Sequence, residues 1–270
     1  MNAYLEGIRA KLNRANEQIY SLNLEITSFL SDNYRIASHC NVESRQYIFT
    51  AFGQPEVPPR FSVLIGEIVH NLRSCMDHLV TQLAVLGPGG GNPNVLEFPI
   101  CRTPEKFEDS CKRGKIKGVP HIAATIIEEL LPYRTSTPVD TSSLLILHDL
   151  DRSDKHRLLV VVVAVVQMAD RLALTAADRD VEIIGMSPPI TPGLRPATAG
   201  TEVFKIFFSE KFDPNVQMKG NFAFQVAFGQ DGPLKDEPVI EVLGVLRDAV
   251  ILSIQRFFRD FKVSGSDPRI

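Results

Sequence analysis

RFSVLIGEIVHNLRSCMDHLVTQLAVL, residues 60–86, is the stretch that decides the fold of this chain. On a helical wheel of about 100° per residue, its apolar side chains fall on one broad arc and its polar side chains on the other. The segment is therefore predicted to be a long amphipathic helix that packs against other helices. The apolar arc contains Phe61, Leu64, Ile65, Ile68, Leu72, Cys75, Met76, Leu79 and Leu83.

Further helices and one hairpin are predicted on either side of this segment. Apolar residues from Leu5 to Phe29 recur at three- and four-residue steps, which is the spacing of one helix face. Two short β-like runs, at 33–42 and 44–53, follow as a hairpin that turns near Glu43. The predicted helices span residues 3–30, 60–86, 104–111, 120–131, 141–150 and 237–262.

The pattern changes to β structure after residue 157. The run LLVVVVAVV, residues 158–166, is β-branched and uninterrupted, as is typical of a buried strand, and shorter β-like runs follow it. Four prolines within 186–200 predict an extended loop. We therefore expect an α+β fold, a bundle of long helices with a small antiparallel β-sheet inserted before the C-terminal helix. The predicted boundaries are a single domain over 1–262, with the helical bundle at 1–156 and 237–262, the β-rich insert at 157–230 and a frayed tail at 263–270.

The composition and net charge of the chain make some classes of protein less plausible than others. The 270 residues carry a net charge of −3 and a sequence pI of about 6.1, which disfavours a surface that is basic all over and binds nucleic acid indiscriminately. The four cysteines are scattered and form no C-x-x-C pair, so we expect reduced thiols. The N-terminus is polar, and the run at 158–166 is shorter than the roughly 20 residues of a membrane-spanning helix. These features predict a soluble, cytoplasmic protein with no membrane partner and no cofactor.

The polar face of residues 60–86 carries candidate chemistry. Arg73 and His78 are five residues apart, so both can reach a cleft that wraps around this face. A histidine transfers protons at neutral pH, and a guanidinium binds and neutralises a phosphate. Cleavage of a phosphodiester needs both groups. His70 and Asn71 lie on the same polar face and are substrate-binding candidates.

The order Arg73, four residues, His78 resembles the Arg-x(4–6)-His motif of the HEPN superfamily, which contains helical-bundle proteins of toxin–antitoxin, antiviral and CRISPR systems. Many members are metal-independent ribonucleases that act as dimers with the two motifs facing each other. The resemblance implies an endoribonuclease in which His78 transfers a proton and Arg73 clamps a phosphate of RNA. It also implies an antitoxin or defence protein as partner and, together with the long amphipathic helices, a homodimer.

A second polar stretch, LHDLDRSDKHRLL at residues 147–159, lies between a predicted helix and the buried strand. Charged side chains that lead into an apolar strand must face solvent or find partners. If this junction packs against the helix at 60–86, Asp154 can pair with Arg73 or His78. In this arrangement Asp154 and His156 are candidates to assist catalysis, and Lys155 and Arg157 are candidates to bind the substrate.

Basic residues concentrate in CKRGKIKG, residues 111–118. Lysine and arginine side chains contact phosphates without reading sequence. Lys112 and Arg113 are therefore substrate-binding candidates, and the alternative is a solvated loop.

Two alternatives to a ribonuclease stay open. In the first, the polar cluster is a buried network that joins the helix at 60–86 to the junction at 147–157, in a non-enzymatic interaction or scaffold protein. In the second, the chain is a metal-dependent hydrolase, because nitrogen and oxygen ligands of the kind that bind zinc, manganese or iron occur in both polar stretches. His70 and His78 are two helical turns apart, which does not match a common zinc spacing, and we predict no metal. The ligands considered are His70, Asp77, His78, Asp154 and His156.

Overall fold

A computed structural model describes residues 2–53, 56–87, 91–167, 173–175, 181–187, 195–196, 200–219, 222–229 and 232–260. It confirms the α+β fold, with antiparallel β structure before a C-terminal helix. The described α-helices are α1 (Asn2–Asn33), α2 (Pro59–Leu86), α3 (Pro104–Lys112), α4 (His121–Glu129), α5 (Ser143–Asp154) and α6 (Val239–Asp260). The described strands are β1 (Arg35–Asn41), β2 (Gln46–Phe52), β3 (Val161–Gln167), β4 (Ala173–Thr175), β5 (Ile183–Ser187), β6 (Arg195–Pro196), β7 (Thr201–Phe208), β8 (Gln217–Lys219) and β9 (Phe222–Phe228).

The chain divides into two compact units. The helical unit consists of the described residues of 1–22, 59–159 and 240–270, and the β-rich unit consists of those of 23–58 and 160–239. The hairpin β1–β2 was expected within the bundle region 1–156, but it belongs to the β-rich unit because β2 pairs with β7 along its length. The boundary of a single domain over 1–262 stays a prediction.

Antiparallel pairing builds the β-rich unit. The described strands form a four-stranded sheet in the order β1-β2-β7-β5, a three-stranded sheet in the order β6-β3-β9, and the pair β4-β8. Phe49 of β2 lies opposite Phe204 of β7, and both side chains are buried. Each buried aromatic or aliphatic side chain of this kind contributes about 1.5–3 kcal/mol. The core of the unit contains Tyr47, Phe49, Ala51, Val203, Phe204, Ile206, Phe208, Val216 and Met218.

Helix α2 is the central element for the helical unit. It begins at Pro59, one residue before the prediction, because proline is well tolerated in the first turn of a helix. Its apolar arc is buried as expected except at Leu64, which is half-buried, and Ile65, Ile68 and Leu72 are fully shielded from solvent. Helix α3 begins after Thr103, whose side chain accepts a hydrogen bond from the Lys106 N–H. These helices position the site described below.

Two sequence predictions fall largely on residues that the structure does not describe. The proline-rich loop at 186–200 is described only at its two ends and at β6, and the tail at 263–270 lies outside the described residues. Among the described helices, none is both long and apolar enough to cross a membrane.

Candidate functional site

Arg73 occupies the centre of a polar network on α2. Its side chain is only 4% exposed, and three acceptors hold its guanidinium. Nη1 donates to Asp77 Oδ1 at 2.6 Å, while Nη2 donates to Glu97 Oε1 at 3.1 Å and to the Phe98 carbonyl oxygen at 2.8 Å. The Phe98 N–H in turn donates to Asp77 Oδ1 at 2.8 Å. Arg73 therefore fixes the chain at residues 97 and 98 against α2.

The two carboxylates of this network differ in their electrostatics. Burial raises the pKa of Asp77, and the charge of Arg73 and the hydrogen bond from Phe98 oppose this effect. Burial also acts to raise the pKa of Glu97, but the hydrogen bond and charge of Lys115, at 2.8 Å, together with the charge of Arg73, hold it below its usual value. A buried guanidinium that is engaged by protein acceptors has a structural role, because its donors do not face a ligand.

A second set of contacts joins α2 to α5. His70 Nδ1 lies 3.0 Å from Asp151 Oδ1, and Lys155 Nζ donates to Asp151 Oδ2 at 2.6 Å. Burial acts to raise the pKa of Asp151, but the hydrogen bonds from Lys155 and His70 outweigh it and lower the pKa. The prediction that the polar face at 60–86 contacts the junction at 147–157 is confirmed by this pair.

Contacts with α1 account for further polar residues of α2. Gln18 Nε2 donates to Glu67 Oε2 at 2.8 Å, and Asn71 Nδ2 donates to Gln18 Oε1 at 2.9 Å. Lys11 Nζ donates to Asn71 Oδ1 at 3.3 Å. Asn71, a substrate-binding candidate from the sequence, therefore forms part of the α1–α2 contact.

The other catalytic candidates do not share a cleft with Arg73. His78 is exposed on α2 beside Gly7 of α1. His156 is exposed beyond the end of α5. The expected pairing of Asp154 with Arg73 or His78 is not formed, because Arg73 binds Asp77 and Glu97 while the Asp154 carboxylate lies against Gly66.

The substrate-binding candidates also separate. Lys155 binds Asp151, and Lys112 lies 4.0 Å from Asp109 on the surface of α3. Arg157 is exposed and makes no ion pair with any residue that the structure describes. Of the predicted residues, Arg113 alone lines the cavity of the helical unit described next.

A cavity of about 340 Å³ opens between α3 and α5, within the helical unit. We call it the α3–α5 pocket. Ile100, Cys101 and Leu145, which are buried, supply its apolar wall. The polar residues that line it are Arg102, Lys106, Asp109, Ser110, Arg113, His148, Asp149 and Arg152.

The cations of the α3–α5 pocket fall into two groups. Arg102 is already neutralised, since it binds Asp140 and donates to Asp149 Oδ2 at 2.7 Å. Lys106, Arg113 and Arg152 make no ion pair with any described residue, although all three are exposed at the pocket. Three unneutralised cations around one cavity favour an anionic ligand.

His148 adds an uncharged polar group to the pocket. Burial, followed by the nearby charge of Arg73, lowers the pKa of His148. This shift favours the uncharged imidazole, which has one donor nitrogen and one acceptor nitrogen. The His148 side chain lines the pocket and makes no hydrogen bond with any residue in the described part of the chain.

The polar network on α2 positions both walls of the pocket. Arg73 holds residues 97 and 98, and the same segment continues into Ile100, Cys101 and Arg102. His70 holds Asp151, which lies on α5 next to Arg152. His70, Arg73 and Asp77 therefore fix the two chain segments that carry the pocket residues, whereas Glu67 and Asn71 bind Gln18 of α1.

Sequence reasoning did not find most of the pocket, although its signal is present. Lys106 and Asp109 are three residues apart in α3, and Arg113 caps the same helix seven residues after Lys106, which places the three on one side of that helix, while Arg102 precedes it. Leu145, His148, Asp149 and Arg152 repeat on α5 at steps of three, four and seven. A search for polar residues at helical spacing in these two short helices would have identified both faces.

Comparisons with known proteins identify no relative. No family model matches the chain, no curated protein matches it, and no solved structure matches it. The HEPN resemblance of Arg73 and His78 therefore stays a prediction. Within the described residues, no group of three or more His, Cys, Asp or Glu side chains is placed to hold a metal ion. The fold and the site define an α+β protein with a basic pocket in its helical unit.

Proposed function

We propose that the helical unit binds a phosphate-bearing ligand in the α3–α5 pocket. The observation that carries this proposal is the convergence of Lys106, Arg113 and Arg152 on one cavity without an ion pair among the described residues. Guanidinium and ammonium groups bind phosphate through charge-assisted hydrogen bonds, and arginine does so bidentately. The protein is on this account a ligand-binding module.

An endoribonuclease centred on Arg73 and His78 receives less support from the geometry. A phosphate clamp must expose its donors, whereas the Arg73 side chain is 4% exposed and binds two carboxylates. The His78 imidazole lies beside Gly7 of α1, whereas the Arg73 guanidinium binds Asp77, Glu97 and the Phe98 carbonyl oxygen. The network interpretation, in which these residues join helices, agrees better with the contacts.

The cellular location and the assembly state are also proposals. We place the protein in the cytoplasm, which the free state of Cys40, Cys75, Cys101 and Cys111 supports, because a reducing compartment preserves thiols. We propose a homodimer on the strength of the long amphipathic helices. Light scattering that shows a monomer at micromolar concentration would contradict the dimer.

Calorimetric titration with inorganic phosphate at low ionic strength tests the proposed function, since added salt screens such contacts. We expect Lys106→Gln, Arg113→Gln and Arg152→Gln each to weaken binding about tenfold or more, which is about 1.4 kcal/mol. Lys117→Gln is the matched control, because Lys117 is an exposed cation of the neighbouring loop that does not line the pocket. Equal affinities for all four variants, or no binding by the wild type, would overturn the proposal.

A further inference from the structure

We propose that Ser74 of α2 is a nucleophile for activated acyl compounds, with His70 as its general base and Asp151 of α5 as the group that orients His70. The two helices bring these side chains into one chain of contacts. Ser74 Oγ lies 3.4 Å from His70 Nε2, and His70 Nδ1 lies 3.0 Å from Asp151 Oδ1. None of the three side chains lines the α3–α5 pocket, so the inference does not depend on phosphate binding.

A carboxylate that is closed to solvent fixes the orientation of the imidazole. The Asp151 side chain is 7% exposed, and Lys155 Nζ donates to its other oxygen at 2.6 Å. A carboxylate only accepts hydrogen bonds, so the Nδ1 that faces it carries the proton. The Nε2 of the uncharged imidazole is then an acceptor for the Ser74 hydroxyl. The same order of carboxylate, imidazole and hydroxyl activates serine nucleophiles on unrelated folds.

The hydroxyl of Ser74 differs from other hydroxyls in the helices of this chain. A serine or threonine inside a helix commonly donates to the carbonyl oxygen four residues earlier. Helical residues that do so here are Thr27, Thr81, Ser110, Thr125 and Ser253. The four-residue step from His70 to Ser74 places both side chains on one helix face, and the hydroxyl faces the ring nitrogen. A contact of 3.4 Å agrees with the looser distances between nucleophile and base that precede substrate binding.

The surroundings of Ser74 define the class of substrate. The His70 side chain is 56% exposed and Ser74 is half-buried, so a ligand reaches the hydroxyl from solvent. Ser74 lies in the interior of α2, where its backbone N–H is used by the helix and does not stabilise an oxyanion. Loss of one such donor costs about 10²–10³ in rate. We therefore assign aryl esters and thioesters, whose leaving groups depart readily, and not peptides.

The reaction has two halves. In the first, Ser74 Oγ bonds to the acyl carbon while His70 Nε2 takes the hydroxyl proton. The bond between the acyl carbon and the leaving group breaks, and the leaving group takes the proton from His70. In the second half, water gives a proton to His70 and attacks the acyl-serine, which releases the carboxylic acid and returns the proton to Ser74. Water is the second reactant.

An alkyl fluorophosphonate tests the nucleophile, because an activated serine displaces fluoride from phosphorus and keeps the label. Mass spectrometry and peptide mapping of the full chain should find the adduct on Ser74, and Ser74→Ala should remove it. His70→Gln should slow labelling about hundredfold or more, since a general base contributes about 10²–10⁴. Ser28→Ala is the matched control and should label at the wild-type rate, because Ser28 is an exposed helical serine that faces the Asp32 carboxylate.

Three results of the labelling experiment would overturn the inference: an unlabelled wild type, a label on another residue, or equal rates for His70→Gln and the wild type. Turnover of p-nitrophenyl acetate adds a check, because an exposed imidazole can itself attack an aryl ester. Ser74→Ala should lose turnover by about tenfold or more. Hydrolysis by Ser74→Ala at the wild-type rate would show that His70 is the nucleophile and would also overturn the inference.

Asp151→Asn separates orientation of the imidazole from attachment of the two helices. Because Lys155 needs an acceptor, the amide oxygen should face Lys155 and the amide nitrogen should face His70 Nδ1, which moves the ring proton to Nε2. Nitrogen-15 NMR should find the proton of the uncharged ring on Nδ1 in the wild type and on Nε2 in the variant. Labelling of Ser74 should fall about hundredfold or more with this change. A proton on Nε2 in the wild type, or labelling of Asp151→Asn at the wild-type rate, would overturn the inference.

Discussion

Replacement of Arg73 by methionine separates a structural role of the polar network from a catalytic role. The substitution keeps an unbranched side chain but removes the guanidinium and its three hydrogen bonds. Removal of one partner from a buried ion pair costs about 3–5 kcal/mol, because the other charge loses its compensation. Asp77 and Glu97 are 34% and 35% exposed, and Lys115 still binds Glu97, so water and this lysine offset part of the loss. We therefore expect a decrease of about 3 kcal/mol in the free energy of unfolding.

Urea unfolding followed by circular dichroism at the helix band measures this change. With a denaturant slope of about 2 kcal/mol per molar, the transition of the helical unit should move to lower urea by about 1.5 M. Arg157→Met is the matched control, since Arg157 is exposed and makes no ion pair with any described residue. It should change the free energy of unfolding by less than about 0.5 kcal/mol.

A double-mutant cycle with Asp77→Asn assigns the loss to the network. Because Arg73 and Asp77 are in contact at 2.6 Å, their substitutions should show a coupling of about 1 kcal/mol or more. Arg73→Met with wild-type stability and no coupling to Asp77 would refute the structural interpretation. That result would agree instead with an exposed phosphate clamp, as the HEPN resemblance implies.

Two further predictions concern backbone packing and pH. Gly87→Ala should destabilise the protein, because a Cβ at this position would overlap the Gly118 carbonyl oxygen. Gly244→Ala should stabilise the protein by about 1 kcal/mol, because the Cβ position in α6 is open space. Thermal unfolding of both variants checks that the two changes in stability have opposite signs. Asp154→Asn should raise the melting temperature at pH 7, because burial and the charge of Asp151 raise the pKa of Asp154 in the folded protein, so that its ionised form disfavours folding. This gain in melting temperature should disappear as the pH falls through the raised pKa and below the ordinary value of 3.8, because the Asp154 carboxyl is then protonated in both the folded and the unfolded protein. A gain that persists at that pH would contradict the explanation by burial and the charge of Asp151.

Helix periodicity predicted the element that organises the helical unit. The apolar arc of α2 identified its buried face, and the predicted helix at 60–86 differs from the observed one by one residue. The hairpin was also predicted, but its place in a sheet with β7 was not, because Tyr47 and Ile206 pair across more than 150 residues of sequence. Local patterns define a strand and do not select its distant neighbour.

The candidate site was predicted less well because a helical wheel does not show what covers a polar face. Arg73 lies on the polar arc of α2, yet the segment at 97 and 98 packs over it and supplies acceptors for its donors. Arg113 was identified from local charge alone. Its partners in the pocket, Lys106 and Arg152, come from two short helices that only the tertiary structure brings together.

Diffraction from crystals soaked in arsenate, a tetrahedral phosphate analogue with an anomalous signal, tests the α3–α5 pocket most directly. We predict an anomalous arsenic peak in the pocket, with arsenate oxygens at hydrogen-bonding distance, about 3 Å, from side-chain nitrogens of Lys106 and Arg113. The peak should vanish from crystals of Arg113→Gln and persist in crystals of Lys117→Gln. A peak beside Lys112 and Lys117 in place of the pocket, or an empty pocket at a concentration that saturates the protein in solution, would contradict a phosphate-binding function for this cavity.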